Sequence, residues 1–289
     1  MTTTAPTAAD LARQTPATRD RYVDFLRLFS ICVVVLGHWL MAVVEWHGHT
    51  FRTGNVIGMV PGLWLATWVL QVMPIFFFVG GFANYATIDA LRRKGQGSVE
   101  FIASRVTRLL KPVAILLAVW FPLALTLQWL GLDARVLRSA TKLVCQPPWF
   151  VGVYLAVTAL APVMRDLHAR FGVRAAASIA ALAIAVDVVR FGAGIDALGY
   201  LNVLFVWLFA QQAGFFYADG SLRRLTRTQL VRIALGALTM LTLLTTFGPY
   251  PRSMVGLPGD RISNCPRPRS ACSSSPSLKS RPCSSCAHA

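Results

Sequence analysis

The sequence predicts an all-α fold, a polytopic membrane helix bundle, and three observations predict it. Apolar residues make up 55% of the 289 positions and charged ones only 14%, against about 25% charged in a soluble domain. Mean hydropathy is accordingly +0.55. The apolar residues gather in runs of the length that a bilayer-crossing helix needs, about 20 residues. Finally, 28 Lys and Arg against 12 Asp and Glu give a net charge of +16, and the basic residues fall between those runs. In a soluble chain such a balance would suggest nucleic acid. Alternating with apolar runs, it is the pattern of membrane loops, so the expected partner is the lipid bilayer and not nucleic acid.

The elements follow in order. Residues 1–20 are polar and rich in Thr and Ala, and are expected to be a disordered cytoplasmic lead. They lack the A-x-A-like cleavage site of a secretory signal. Residues 28–44 hold no Asp, Glu, Lys or Arg and form the first span. Residues 53–88 are a charge-free stretch of 36 residues, longer than one span needs; one long helix is placed at 63–88, after a loop. Charge-free runs at 112–132, 143–164, 197–218 and 233–251 supply four more spans. The run at 175–186 has only 12 residues before Asp187. It is counted because its neighbours need a crossing to keep the charge pattern, which makes seven spans.

Charge sets the orientation. The N-terminal flank and the loops after spans two, four and six hold 17 Lys and Arg, and the intervening loops before the tail hold five. The expected protein is therefore a multi-pass membrane protein with its N-terminus cytoplasmic. From Ile262 the composition changes: the last 28 residues hold nine Ser, four Pro, four Cys and four Lys or Arg. Such a segment cannot bury enough apolar surface to fold. Residues 262–289 are expected to be a disordered tail, and their composition is also that of GC-rich coding sequence translated out of frame. Cys283 and Cys286 form C-x-x-C but lack the second ligand pair that a zinc site requires, so no metal is expected.

Two groups of residues suggest chemistry. In the first span Arg27 and His38 are 11 residues apart. At 3.6 residues per turn they share a helix face, separated by about 16 Å along the axis. Asp24 lies one turn before Arg27. Ionisable side chains inside a span are costly and mark function by default, and histidine suits general-base work near neutral pH. The bland alternative is a histidine bonded to a neighbouring helix beside a snorkelling arginine. The second group is Arg105, Arg108 and Lys111, recurring every three residues before Pro112. On a helix they form a basic strip, and guanidinium forks bind phosphates bidentately. Ordinary positive-inside charge is the alternative there.

R-x10-H in the first span, followed by R-x-x-R entering the third, resembles the acyltransferase-3 family of integral membrane O-acyltransferases. The segments at 74–82, 149–154 and 200–215 are similar to it as well, the last to actinobacterial members. The resemblance implies a bundle of about ten membrane helices, of which about seven fit here, and a domain over residues 21–261. After Asn264 it stops, as in a C-terminally truncated or frame-shifted member. It implies transfer of an acyl group, acetyl expected, from acyl-CoA to a hydroxyl of a carbohydrate, lipid or secondary-metabolite acceptor. Acyl-CoA is then a co-substrate, with no bound cofactor. His38 matches the family's essential histidine and Arg27 its arginine partner, while Arg105 and Arg108 match the pair associated with the donor. The alternatives are a transporter or exporter, or an inactive truncated member.

Other residues are weighed alongside. Glu45 lies with His47 and His49 in an expected outer loop and is a candidate for acceptor contact. Trp149 and Tyr154 are acceptor-side candidates too, with the alternative that they are interfacial anchors. Asp187 and Arg190, at i and i+3, are expected to pair. Cys32 and Cys145 are expected to be buried thiols. His168 is expected to lie solvated in a basic loop.

Overall fold

The computed structural model describes residues 7, 10, 13, 14, 16, 19–41, 43–47, 50–54, 56, 60, 62–144, 148–250 and 254, with no side-chain detail at 40–41, 43–47, 50–54, 135, 139, 142–143 and 148–149. The expected disordered tail, Cys145 and most of the expected disordered lead lie outside the described residues. Helix α1 spans Arg21–Met41 and is followed by strands β1 (Val43–His47) and β2 (Thr50–Gly54). A single 3-10 turn, Leu63–Leu65, leads into the short α2 (Ala66–Val69). Then come α3 (Met73–Arg93), α4 (Ser98–Trp129), α5 (Ala134–Val144) and α6 (Pro148–Phe171). Helices α7 (Val173–Ala193), α8 (Leu198–Ala218) and α9 (Arg227–Thr246) complete the order.

Among the described residues seven helical segments are long and apolar enough to cross a membrane. They are Arg21–Trp39, Leu63–Arg93, Ser98–Trp129, Phe150–Phe171, Val173–Ala193, Leu198–Ala218 and Arg227–Thr246. The all-α bundle expected from the sequence is therefore present, and the chain is a multi-pass membrane protein. The weakest expected span, at 175–186, is a full helix of 21 residues that takes in Asp187 and Arg190.

Three elements differ from expectation. The second span is not one continuous helix, because it breaks at residues 70–72 before α3 begins. Pro74 has no N–H for the Leu70 carbonyl, and its ring clashes with the preceding turn. The expected loop around Glu45 is instead a hairpin in which β1 pairs antiparallel with β2, Glu45 opposite Arg52. Val43, Val44, Thr50, Phe51 and Thr53 favour a pleated strand. Helix α5 occupies a segment expected to be a basic loop. At 11 residues it is too short to cross a bilayer. Arg135, Arg138 and Lys142 share one register, and Leu137, Thr141 and Val144 another, the pattern of an interfacial helix. Its apolar side is docked: Leu137 is buried, and Trp120 Nε1 donates to Thr141 Oγ1 at 3.3 Å.

Helix α8 is the hub of the bundle. It packs on α3, α7 and α6, while α1 lies on α3 and α4 on α6. Two glycines bring α3 and α8 together. A Cβ on Gly81 would run into the Gln211 carbonyl, and one on Gly214 into the Phe78 carbonyl. In lipid, helices associate through such small-residue contacts because burying apolar surface gives no advantage over lipid tails. One turn away, Phe77 stacks on Trp207 with centroids 4.7 Å apart. The outer faces are apolar and exposed, for example Ile115, Val119, Phe121 and Leu125 on α4 and Ile233, Leu235 and Met240 on α9. Cys32 is also exposed, not buried as expected, because two residues on from the buried Ser30 it lies on the other side of α1.

Candidate active site

Polar side chains from five helices meet at one end of the bundle. Asp20, just before α1, accepts from Tyr217 OH at 3.1 Å and pairs with Arg223. Asp89 of α3 binds Arg165 of α6 through Nε at 3.1 Å, and Arg165 lies 4.2 Å from the centroid of the Tyr85 ring. Arg92 pairs with Asp166 at 2.7 Å. The N-terminus of α4 belongs to the same end, where Glu100 accepts from the Gly97 N–H at 2.9 Å and begins the helix that carries the basic strip.

The strip is divided by its surroundings. Arg105 is half-buried, whereas Arg108 and Lys111 are exposed. Arg105 Nη2 donates to Thr87 Oγ1 at 2.7 Å and reaches the Ala83 carbonyl at 3.4 Å. Its guanidinium also lies 5.5 Å from the Phe101 centroid. Arg108 has no side-chain partner among the described residues. Pro112 has no N–H, so the Arg108 carbonyl lacks its usual helical donor.

Arg27 of α1 joins this end. It is bound to Asp24 at 3.4 Å, and Asp24 is also bound by Arg19. Arg27, Arg105 and Arg108 are near enough for their charges to act on the Tyr154 hydroxyl. Tyr154 is therefore not an interfacial anchor. Its ring sits among Phe76, Phe77 and Phe150, with centroids 5.3, 5.7 and 6.1 Å away, and its hydroxyl faces Gly80, where a Cβ would lie 3.0 Å from the oxygen. Tyr154 thus lies beside Arg27, Arg105 and Arg108. The side chains of Trp149 and Glu45 lie outside the described residues.

His38 stands apart. It is on the same helix as Arg27 but about 16 Å further along. Its Nδ1 lies 2.7 Å from the Val34 carbonyl. A carbonyl only accepts, so Nδ1 carries the proton, and in the neutral ring Nε2 holds the lone pair. That tautomer can take a proton from an incoming hydroxyl. The ring is exposed on the described surface of α1. The structure thus groups Arg27 with Arg105 and Arg108, and does not bring it to His38.

His168 was missed. It is buried, not solvated: its Nε2 binds Asp219 at 2.8 Å and its Nδ1 accepts from Gln212 Nε2 at 2.9 Å. Phe215, Phe216 and Tyr85 surround the ring. Burial pushes the Asp219 carboxyl up, but hydrogen bonds from Ser221 and His168 outweigh it and leave the group below the usual carboxylate range. The signal lay in periodicity. Ala161, Arg165 and His168 share one face of α6, and Gln212 and Asp219 share one face of α8. At the far end Asp187 and Arg190 lie 4.0 Å apart, as their spacing suggested, and Asp187 also accepts from Tyr250. Burial, then the bond to Asp187, pushes the Tyr250 hydroxyl above its ordinary range.

No curated protein and no solved structure matches the chain. A family model described as an acyltransferase domain matches residues 20–261, which include the arginines and His38 of the motifs above, and the chain belongs to the acyltransferase-3 family.

Proposed function

We propose that the protein is a membrane O-acyltransferase that moves an acyl group, acetyl above all, from acyl-CoA to a hydroxyl of a carbohydrate, lipid or secondary-metabolite acceptor. The observation that supports this reading most directly is the convergence of Arg27 of α1 with Arg105 and Arg108 of α4 at one end of the bundle, with His38 further along α1. Three guanidiniums fit the phosphates of CoA. In this reading the basic end is cytoplasmic, where the N-terminus and the 17 basic loop residues also lie, and the membrane is a bacterial plasma membrane.

Phosphates held by the arginines leave the long arm of the donor to run along α1 toward His38, so the charge clamp and the base are separated by design. His38 Nε2 takes the proton from the acceptor hydroxyl as its oxygen attacks the thioester carbonyl. The tetrahedral intermediate expels the CoA thiolate, which receives the proton, and the acceptor leaves as an ester. General-base assistance of this kind contributes about 10²–10⁴-fold. Arg27, tied to Asp24 and distant from His38, acts on the donor and not at the reacting carbonyl. The acceptor enters from the end where α1 leads into the β1–β2 hairpin.

The test is transfer from labelled acetyl-CoA in membranes that contain the full chain or its His38→Gln variant. Transfer by the wild type and its loss in a variant that inserts normally are expected. Turnover retained by His38→Gln would remove the base role, and solute flux without donor would favour a transporter.

A further inference from the structure

Helix α3 carries three functional stripes. Tyr85 and Asp89 engage Arg165 of α6. Gly81 and Asn84 face α8, where Asn84 Nδ2 donates to Gln211 Oε1 at 3.2 Å. Gly80, Ala83 and Thr87, at i, i+3 and i+7, form the third stripe. Gly80 makes room for the Tyr154 hydroxyl, while Ala83 and Thr87 receive Arg105. This stripe has no titratable group, yet it touches two of the residues grouped at the basic end.

From these contacts we infer that Thr87 is a positioning residue for the acyl donor, acting through Arg105; the inference rests on the donor-binding reading of that arginine. The Thr87 hydroxyl donates its one proton to the Ala83 carbonyl at 2.7 Å. Its lone pair is thereby directed outward and accepts from Arg105 Nη2 at 2.7 Å. Among the described residues only Nη2 of this guanidinium has a protein acceptor, leaving Nε and Nη1 for a ligand. Phe101 lies against the same group. One edge is pinned to α3 and one face rests on an aromatic ring, so the remaining donors hold a single orientation. An arginine fixed in this way loses less rotamer freedom when it binds a phosphate. Arg108, one turn on, lacks such a tether, so the two arginines of R-x-x-R are not equivalent: one is preset and the other closes on the ligand.

A binding cycle on the full chain in detergent tests this, with CoA as the probe. Thr87→Val keeps the branched shape and removes the acceptor. It is expected to weaken CoA binding about tenfold, the loss of one bond to a charged group. Thr87→Ser should bind within about twofold of wild type. In an Arg105→Ala background, Thr87→Val should have no further effect, because the two act as a unit. Wild-type affinity in Thr87→Val, or an equal loss with and without Arg105, would overturn the inference. If Arg105→Ala alone binds CoA like the wild type, the donor reading falls with it. Should Thr87→Val fail to fold, Thr87→Ala is read by the same criteria.

Discussion

At the scale of single residues, burial and partnership decide which charges are available for chemistry. Asp89, Arg92, Arg165 and Asp166 neutralise one another at the basic end, whereas Arg105 retains unpaired donors and Arg108 has no side-chain partner. Arg108→Ala should raise the KM for acetyl-CoA about tenfold or more, as the loss of a charge-assisted bond implies, with little change in kcat. An unchanged KM would show that the strip is only topological charge. His168→Leu should behave differently. It leaves Asp219 Oδ2 and the buried Gln212 Nε2 without His168, while Ser221 still holds Asp219 Oδ1, and an orphaned buried group costs about 1–3 kcal/mol. Thermal unfolding in detergent should fall by several degrees, and an unmoved midpoint would contradict the network. Asp219 also gives the network an acid limit. Its folded pKa lies below the usual value of about 4, so its contribution is complete above that value and is lost as pH falls through the lowered pKa. Arg27, His38, Arg105 and Arg108 were legible in the sequence as candidates because ionisable side chains stand out within or beside apolar runs. Thr87 and His168 were not, since their roles depend on which helix lies opposite.

At the scale of elements, two glycines allow the backbone contact between α3 and α8. Gly81→Leu or Gly214→Leu would force α3 and α8 apart, and overpacking of this kind costs about 1–3 kcal/mol or more. The expected result is a lower yield of folded protein in membranes, with Gly152→Leu, where a Cβ meets nothing within 4 Å, as the tolerated control. Equal yields of all three would contradict the packing. The spans themselves were legible because a bilayer imposes a length on apolar runs. The shorter elements were not. The break before α3 depends on a proline within an otherwise uninterrupted apolar stretch. The β1–β2 hairpin is hidden where attention to paired histidines suggested a loop. Helix α5 alternates basic and apolar residues with a helical period that counting loop charges erases.

At the scale of the whole molecule, the bundle has a basic end rich in ion pairs and an opposite end tied by Asp187, Arg190 and Tyr250. Helix α1 joins them, with Arg27 near the first and His38 toward the second. Tyr250 is held protonated more firmly than a free phenol. Its share of stability is therefore complete below about pH 10 and is lost as pH rises through the elevated pKa. Tyr250→Phe should make the unfolding midpoint less sensitive to alkali, and an identical alkaline profile would contradict that contact. The sequence pattern of alternating basic loops anticipated this two-ended layout, but not that the arginines of α1 and α4 would converge, because charge counting places a residue on a side and not beside a partner. That convergence is the centre of the account, and CoA binding to the full chain in detergent tests it most directly, compared among wild type, Arg27→Ala, Arg105→Ala and Arg108→Ala. The account predicts binding that weakens with salt and falls about tenfold or more in each variant. Wild-type affinity in all three variants, or no binding of CoA by the wild type, would contradict it.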